Sequence, residues 1–187
     1  VGHPLLDLTP APAGRDACAA EWGLDGSAPT VALLPGSRPN ELRATLPTLA
    51  AAVPRIAARV PGVQFVVARA PHLSDALFDP LRGVGGSRIA EIAGRTDDVL
   101  GASDVVVTAS GTATVQTAIH ERPMVIVYRL SPLTYRLGKR FVKVSTYGMA
   151  NLVAGRRIVP ELIQDAFTPG AVADETARYF EDAEYAA

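Results

Sequence analysis

The sequence predicts a doubly wound α/β domain with a parallel sheet, for three reasons. The 187-residue chain is 48% hydrophobic, which is enough for one core of ordinary domain size. Short runs of Val, Leu and Ile recur along it, as at 30–34, 104–108 and 123–127. Amphipathic stretches with helical spacing separate these runs. Such strands, buried on both faces and joined by helices, are typical of a parallel sheet covered on both sides.

The first half of the chain shows this alternation from residue 16 onward. Residues 1–15 are rich in Pro and Gly and are predicted to be an incoming linker, so we expect the domain to occupy 16–187. A helix over 16–22 ends at Gly23, and a buried strand over 30–34 stops at the following Pro-Gly pair. Between 40 and 60, apolar residues recur every three or four positions, which predicts a long helix. The units predicted next are a strand over 63–67, a helix over 74–81, a strand over 88–92 and a helix over 96–100.

The second half continues the pattern and places the search for chemistry. Its predicted elements are strands over 104–108 and 123–127 and helices over 111–120, 132–143, 160–166 and 169–180. Ligands of doubly wound sheets bind at the carboxyl ends of the strands. The turns that follow the predicted strands are therefore the first candidates for a functional site.

Composition excludes several classes of function. The formal net charge is -1, from 18 basic and 19 acidic side chains, so no global field favours nucleic acid and we expect no nucleic-acid partner. The chain has one cysteine and three widely separated histidines, which predicts no disulfide and no metal site. No run approaches the roughly 18 apolar residues of a membrane-spanning helix. We therefore expect a cytoplasmic location.

The turn after the first strand carries three residues suited to a phosphate group. Gly36 allows the backbone to approach a ligand closely, Ser37 offers a hydroxyl, and Arg38 offers a forked cation that matches phosphate oxygens. The same Pro-Gly-Ser sequence also occurs in ordinary turns. Phosphate binding and a plain turn both remain open for this segment.

The turn after the strand at 104–108 gives a stronger signal. Ser110, Gly111 and Thr112 are small and lie where a helix begins, so free amides and the positive end of the helix dipole face outward from the strand. A diphosphate fits such a site, although Ser110 could equally cap the helix. Gln116 lies one turn further on the same helix face as Thr112, where it could reach a ribose or simply be an exposed polar residue of the helix.

Two further features bear on ligands and partners. Tyr128 and Arg129 end the strand at 123–127, where a cation can approach the same ligand or pair with a surface carboxylate. The predicted helix over 132–143 is apolar along one stripe and basic along its flanks. Such a helix can rest on an anionic membrane surface, or it can face the core with a solvated basic side.

Taken together, the chain resembles the lipid-A-disaccharide synthase family, which are inverting glycosyltransferases of the GT-B fold. The resemblance covers nearly the whole chain and follows the family's order. The segments that carry it are 1–7, 33–38 with Glu41, 109–114, 123–129, 151–156 and 160–164. The resemblance implies that the chain is the C-terminal, Rossmann-like donor-binding domain, that 1–15 is an interdomain linker, and that the family's N-terminal acceptor domain is absent from the sequence.

The implied reaction transfers 2,3-diacylglucosamine from UDP-2,3-diacylglucosamine to 2,3-diacylglucosamine 1-phosphate, releases UDP and needs no metal or other cofactor. The diphosphate would lie against the two turns described above, with Tyr128, Arg129 and Asn151 lining the cleft. No catalytic residue is assigned, because the family's base is expected in the N-terminal domain. The chain alone is expected to bind UDP without catalysing transfer. A homodimer and contact of 132–143 with the cytoplasmic face of the inner membrane are further expectations.

One departure from the family pattern leaves alternatives open. The family usually has Glu where this chain has Gln116, and a neutral amide is a weaker acceptor for ribose hydroxyls than a carboxylate. Another UDP-sugar enzyme of the GT-B fold, such as a cell-wall N-acetylglucosaminyltransferase or a UDP-sugar 2-epimerase, shares the small-residue helix start. A non-catalytic nucleotide-binding or membrane-docking module is the alternative from another class.

Overall fold

Within the described residues, which are 12–129 and 148–186 of the computed structural model, six strands form one parallel sheet. The order across the sheet is β3-β2-β1-β4-β5-β6, and every neighbouring pair is parallel. The chain therefore builds outward from β1 to β3 and then returns to the centre with β4. This reversal is the topological switch point at which doubly wound sheets bind ligands. The strands are β1 (Thr30–Leu34), β2 (Gln64–Arg69), β3 (Ile89–Ala93), β4 (Val105–Ala109), β5 (Met124–Tyr128) and β6 (Glu161–Ile163).

Helices and two short 3-10 turns connect these strands. The 3-10 turns are Asp75–Phe78 and Gln164–Ala166. The helices are α1 (Arg15–Trp22), α2 (Pro39–Arg59), α3 (Asp79–Arg82), α4 (Thr96–Gly101), α5 (Thr112–Ile119), α6 (Met149–Ala154), α7 (Pro169–Glu181) and α8 (Ala183–Ala186).

The core has two halves, one on each face of the sheet. Because successive strand residues point to opposite faces, Val31 and Leu33 of β1 pack on one side and Ala32 and Leu34 on the other. The first half is covered by α2, whose Leu46 and neighbours at helical spacing are buried, and by α7. The second half contains buried residues of α4 and α6. This two-sided covering confirms the predicted doubly wound class.

A partly exposed ion pair between Arg15 and Asp104 links the amino ends of β1 and β4. The guanidinium of Arg15 donates to Asp104 Oδ1 at 2.5 Å and to Oδ2 at 3.0 Å, and also to the carbonyl oxygens of Gly26 and Ala28. Asp104 Oδ2 accepts a further bond from the backbone N–H of Thr30 at 2.8 Å. The opposite, carboxyl ends of the two strands are thereby set in register at the switch point.

Most predicted elements agree with the structure to within one or two residues, but the predicted helix over 160–166 is wrong. That segment is the edge strand β6 followed by a 3-10 turn. Its three strand residues are too few to show a period, and only pairing with β5 defines them. Helix α6 was not predicted. The predicted helix over 132–143 and most of the predicted linker over 1–15 lie outside the described residues.

Candidate functional site

A cleft of about 370 Å³ opens at the carboxyl ends of β1 and β4. It lies at the switch point of the sheet, where the turns after these two strands face each other. Residues from both turns, from α4 and α5 and from the ends of β2 and β5 form its walls. The lining residues are Leu34, Gly36, Ser37, Arg38, Glu41, Ala68, Arg69, Ala70, Thr96, Ala109, Ser110, Gly111, Thr112, Ala113, Gln116 and Tyr128.

Glycine is required in the turn after β1. Gly36 has φ +118°, which residues with a side chain rarely adopt. A Cβ there would also lie 2.8 Å from Oε2 of Glu41. The buried Thr45 hydroxyl lies 2.9 Å from the carbonyl oxygen of Pro35 and fixes the start of the turn. The Arg38 side chain is 80% exposed and therefore available to a ligand.

A carboxylate already occupies the amides of this turn. Glu41 Oε2 accepts from the backbone N–H groups of Ser37 at 3.2 Å and Arg38 at 3.3 Å. Its Oε1 accepts from the Arg38 guanidinium at 3.2 Å. Glu41 is in the first turn of α2, where negative charge is stabilised by the helix dipole. The turn therefore binds an anion in the described structure, and that anion is its own side chain.

The turn after β4 presents the start of α5 to the cleft. Gly111 is the N-cap residue and has no side chain with which to cap the helix, so the interpretation that Ser110 is the cap is wrong. The first backbone N–H groups of an α-helix have no partner within the helix. Because Thr112 and Ala113 line the cleft, this end of α5 offers amides and the positive end of its dipole to an anion.

Gln116 and Tyr128 complete the set of predicted residues that the structure brings together. Gln116 is on the second turn of α5 and lines the cleft, as its spacing from Thr112 predicts. Its Nε2 donates to Oδ1 of Asp97 at 2.7 Å. The same Oδ1 lies 2.9 Å from Nε2 of His120. Nucleotide binding by these residues stays a prediction.

An arginine network forms the wall beside β2. Arg69 donates to the carbonyl oxygen of Leu73 at 2.7 Å and also bonds Asp75. The hydrogen bond from Arg69 lowers the pKa of Asp75. His72, in the loop between these residues, has its Nε2 3.1 Å from the carbonyl oxygen of Ser37. The loop after β2 is therefore tied to the loop after β1 across one side of the cleft.

Arg129 is not among the described residues that line the cleft, and its role toward a ligand stays a prediction. Its guanidinium donates to the Thr48 hydroxyl at 3.1 Å and to the carbonyl oxygen of Phe167 at 2.6 Å. It also lies 4.9 Å from the centre of the Phe167 ring. Because neighbouring residues at a strand end point to opposite faces, Tyr128 faces the cleft and Arg129 faces α2. Arg129 joins the β5 end to the elements on that face.

Asn151 is likewise not among the described residues that line the cleft, and its role toward a ligand stays a prediction. It is fully buried, and its amide makes four hydrogen bonds. Nδ2 donates to the carbonyl oxygen of Val159 at 2.9 Å and to Oε1 of Glu161 at 2.7 Å, while Oδ1 accepts from the N–H groups of Ile158 and Val159 at 2.8 and 3.0 Å. In this structure Asn151 fixes the chain between α6 and β6.

The sequence interpretation missed Asp97, Thr96 and Arg69. The wide separation of the histidines gave no reason to connect His120 with Asp97. A signal was present, because Thr112, Gln116 and His120 follow one another at i, i+4 on α5 and so share one polar face. The sequence could not show that α4, which carries Asp97, faces this polar side of α5.

The described residues form neither a metal-binding cluster nor a membrane-spanning helix. In the parts of the chain at 12–129 and 148–186, no three His, Cys, Asp or Glu side chains come close enough to hold a metal ion. No helix in those parts has both the length and the apolar character needed to cross a bilayer.

Comparison with known proteins identifies relatives over the full chain. The family model described as lipid-A-disaccharide synthetase matches residues 1–187. The lipid-A-disaccharide synthase of Geobacter sulfurreducens is 40% identical over 186 residues, which is 100% of this chain and 48% of that protein. The corresponding protein of Myxococcus xanthus is 42% identical over 179 residues, or 95% of this chain and 46% of the relative. The chain thus spans about half the length of the curated relatives it matches.

Solved structures show the same fold. UDP-GlcNAc 2-epimerase from Neisseria meningitidis, bound to UDP-GlcNAc, superposes with a TM-score of 0.63 at 11% identity, over 91% of this chain and 40% of that one. E. coli ADP-heptose lps heptosyltransferase II superposes with a TM-score of 0.58 at 15% identity, over 91% of this chain and 52% of that one. At these identities the likeness concerns the fold, which is that of a GT-B domain.

Proposed function

This chain belongs to the lipid-A-disaccharide synthetase family, and we propose that it is the part of such an enzyme that binds the nucleotide sugar. The reaction proposed for the whole protein transfers 2,3-diacylglucosamine from its UDP conjugate to 2,3-diacylglucosamine 1-phosphate. UDP is the product that leaves. Because the chain spans about half of its relatives' length, the acceptor site and the catalytic base are proposed to lie outside these 187 residues.

The observation that supports this proposal best is the cleft at the switch point. Two independent anion-binding elements meet there: the turn at Gly36, Ser37 and Arg38, and the start of α5 at Gly111 and Thr112. A diphosphate has two groups to bind, and the cleft offers one element for each. The activity of the relatives, lipid-A-disaccharide synthesis, agrees with a nucleotide-diphosphate donor, and one superposed structure carries UDP-GlcNAc.

The proposed catalytic contribution of this chain is electrostatic. When the glycosidic bond to UDP breaks, negative charge builds on the departing diphosphate. In this proposal the amides at the start of α5 stabilise that charge with little reorganisation, and the Arg38 guanidinium does so once it exchanges Glu41 for the diphosphate, which lowers the barrier. The carboxylate of Glu41 must then give up the Ser37 and Arg38 amides, or share them, as the diphosphate binds.

Isothermal titration of this chain with UDP tests the proposal, with AMP as the control nucleotide. We expect selective binding of UDP. Arg38→Ala should weaken it by about 1.5–3 kcal/mol, the value of a charge-assisted hydrogen bond. Arg43→Ala is the matched control, because Arg43 is exposed on the same helix and bonds Asn40 rather than lining the cleft. Equal affinity for UDP and AMP, or an equal loss in both variants, would contradict the proposed site.

Binding without a metal ion is part of the same proposal. The charge on the diphosphate would be met by Arg38 and by the amides, so UDP affinity should be the same in Mg²⁺ and in EDTA. A loss of affinity in EDTA would show that a cation completes the site. The proposed homodimer remains a prediction. So does the proposed contact of 132–143 with a membrane surface, because that segment lies outside the described residues.

A further inference from the structure

A three-residue polar cluster lies behind the cleft, and the reaction described above does not use two of its members. Oδ1 of Asp97 accepts from Nε2 of Gln116 at 2.7 Å and is 2.9 Å from Nε2 of His120. The side chains of His120 and Asp97 are 7% and 21% exposed. Gln116 is the member that reaches the cleft.

The chemistry of Asp97 decides which way the Gln116 amide points. An ionised carboxylate accepts hydrogen bonds and donates none, so only the NH₂ end of the amide can face it. The same reasoning places a proton on Nε2 of His120. With Nε2 of Gln116 held by Asp97, its carbonyl oxygen Oε1 is the end left to accept a bond from a group in the cleft. Without Asp97, the amide could rotate and present either end.

We propose that Asp97, supported by His120, is a positioning residue that orients the Gln116 amide so that Oε1 accepts a hydrogen bond from a ribose hydroxyl. The inference rests on the proposed nucleotide site. It assigns to the cluster a preference for a ligand group that donates a hydrogen bond. A sugar that lacks its hydroxyls gives Oε1 no partner and should bind less tightly.

The cluster also explains why an amide suits position 116 in this chain. A carboxylate there would meet the Asp97 carboxylate at the 2.7 Å contact that the amide N–H now occupies. Two like charges at that distance repel strongly, and the side chain at 116 would have to turn away. The Asp97 and Gln116 pair carries one negative charge. Placing the amide at 97 and the carboxylate at 116 keeps that single charge.

The first test compares UDP with 2′,3′-dideoxy-UDP by isothermal titration. The wild type should prefer UDP about tenfold, the value of one hydrogen bond to a neutral acceptor. Asp97→Ala should reduce the preference to about twofold while leaving affinity for the dideoxy compound unchanged. Asp97→Asn should keep most of the preference for UDP. The Nε2–H of His120 needs an acceptor, so it holds the amide oxygen of Asn at the position of Oδ1, where the oxygen also accepts from Gln116. Asp98→Ala is the matched control: Asp98 is on the same helix but bonds Arg95 and the Ala13 N–H, and the preference should persist.

The second test exchanges the charges. Gln116→Glu alone should weaken UDP binding about fivefold or more, and adding Asp97→Asn should restore it to within about threefold of wild type. If Asp97 does not position residue 116, the stronger acceptor should instead bind UDP as tightly as wild type or more tightly. That result, or a wild-type preference retained in Asp97→Ala, overturns the inference.

A readout that needs no ligand separates this inference from the proposed function. In ¹⁵N NMR spectra, the side-chain NH₂ signals of Gln116 should shift and exchange faster in Asp97→Ala and stay unchanged in Asp98→Ala. Signals that do not respond to Asp97→Ala overturn the positioning role. A wild type that binds neither nucleotide overturns the proposed function instead, even where the NMR result shows that the contact exists. Circular dichroism of each variant verifies that it is folded.

Discussion

Replacing Asn151 by alanine should destabilise the domain without altering its cleft. The fully buried amide makes four hydrogen bonds, one of them to the Glu161 carboxylate. Truncation leaves two backbone N–H groups, at Ile158 and Val159, and one backbone carbonyl without their partner. The change is therefore a loss of polar satisfaction rather than of apolar packing.

The magnitude follows from these contacts. A neutral hydrogen bond contributes about 1 kcal/mol and a bond to a charged group about 1.5–3 kcal/mol, while Ile158 is half exposed, so that water can replace part of the loss. We expect Asn151→Ala to lower the free energy of unfolding by about 3–5 kcal/mol. Since whole domains are stable by only about 5–15 kcal/mol, this is a large fraction of the total.

Urea unfolding followed by circular dichroism measures this change. With a slope of about 2 kcal/mol per molar urea, the unfolding midpoint should fall by roughly 2 M. Val153→Ala is the control on the same helix: its side chain is 80% exposed, and the midpoint should move by less than about 0.3 M.

UDP affinity separates a structural role from a binding role. At a temperature where Asn151→Ala is still folded, affinity should stay within twofold of wild type. An unfolding midpoint equal to that of the control, together with a large loss of UDP affinity, would refute the structural role. Asn151 would then be assigned to ligand binding.

Three further predictions follow from contacts already described. Arg129→Ala should lower the free energy of unfolding by about 1–3 kcal/mol, through loss of its bonds to Thr48 and Phe167, and should leave UDP affinity unchanged in titration. The Ala13 N–H and the Arg95 guanidinium lower the pKa of Asp98, so the stability that Asp98 contributes is present above the unfolded pKa of about 4 and is lost as pH falls through the folded pKa. Asp98→Asn should flatten this acid dependence in urea unfolding between about pH 5 and pH 2. Burial raises the pKa of the Cys18 thiol, and Ellman's reagent should react with it at least about a hundredfold more slowly in native than in unfolded protein. A fast native reaction would show that α1 opens readily.

The sheet could be predicted from the sequence because its central strands are buried on both faces. The run Val105–Ala109 is buried at every position and is apolar except for Thr108, which is typical of a short strand covered on both faces. The edge strand β6 could not be predicted in the same way. Of its three residues only Leu162 is buried, and its strand geometry depends on β5, which is distant in sequence.

The candidate site also contains some features that have a local sequence signal and others that depend on contacts distant in sequence. The two turns could be predicted because small residues directly after a buried strand are a local signal, and strand order then brings the turns together. The direction of the Arg129 side chain, toward Thr48 and Phe167, could have been predicted from period-two alternation with Tyr128. Asn151 was assigned by family resemblance, which gives no information on side-chain direction. The contact between Asp97 and Gln116 joins two helices and has no local signal at all.

The central pairing of β1 with β4 has a consequence for how the cleft comes into being. Val31 pairs with Val105 and Leu34 with Thr108, so the two turns around the cleft meet only after strands far apart in the chain have associated. Closing so long a loop is a late, non-local event in folding. Each half of the domain supplies only one side of the cleft. A ligand bound in the cleft stabilises the pairing of β1 with β4. Ligand binding should therefore slow amide exchange in β1 and β4 more than in the outer strands.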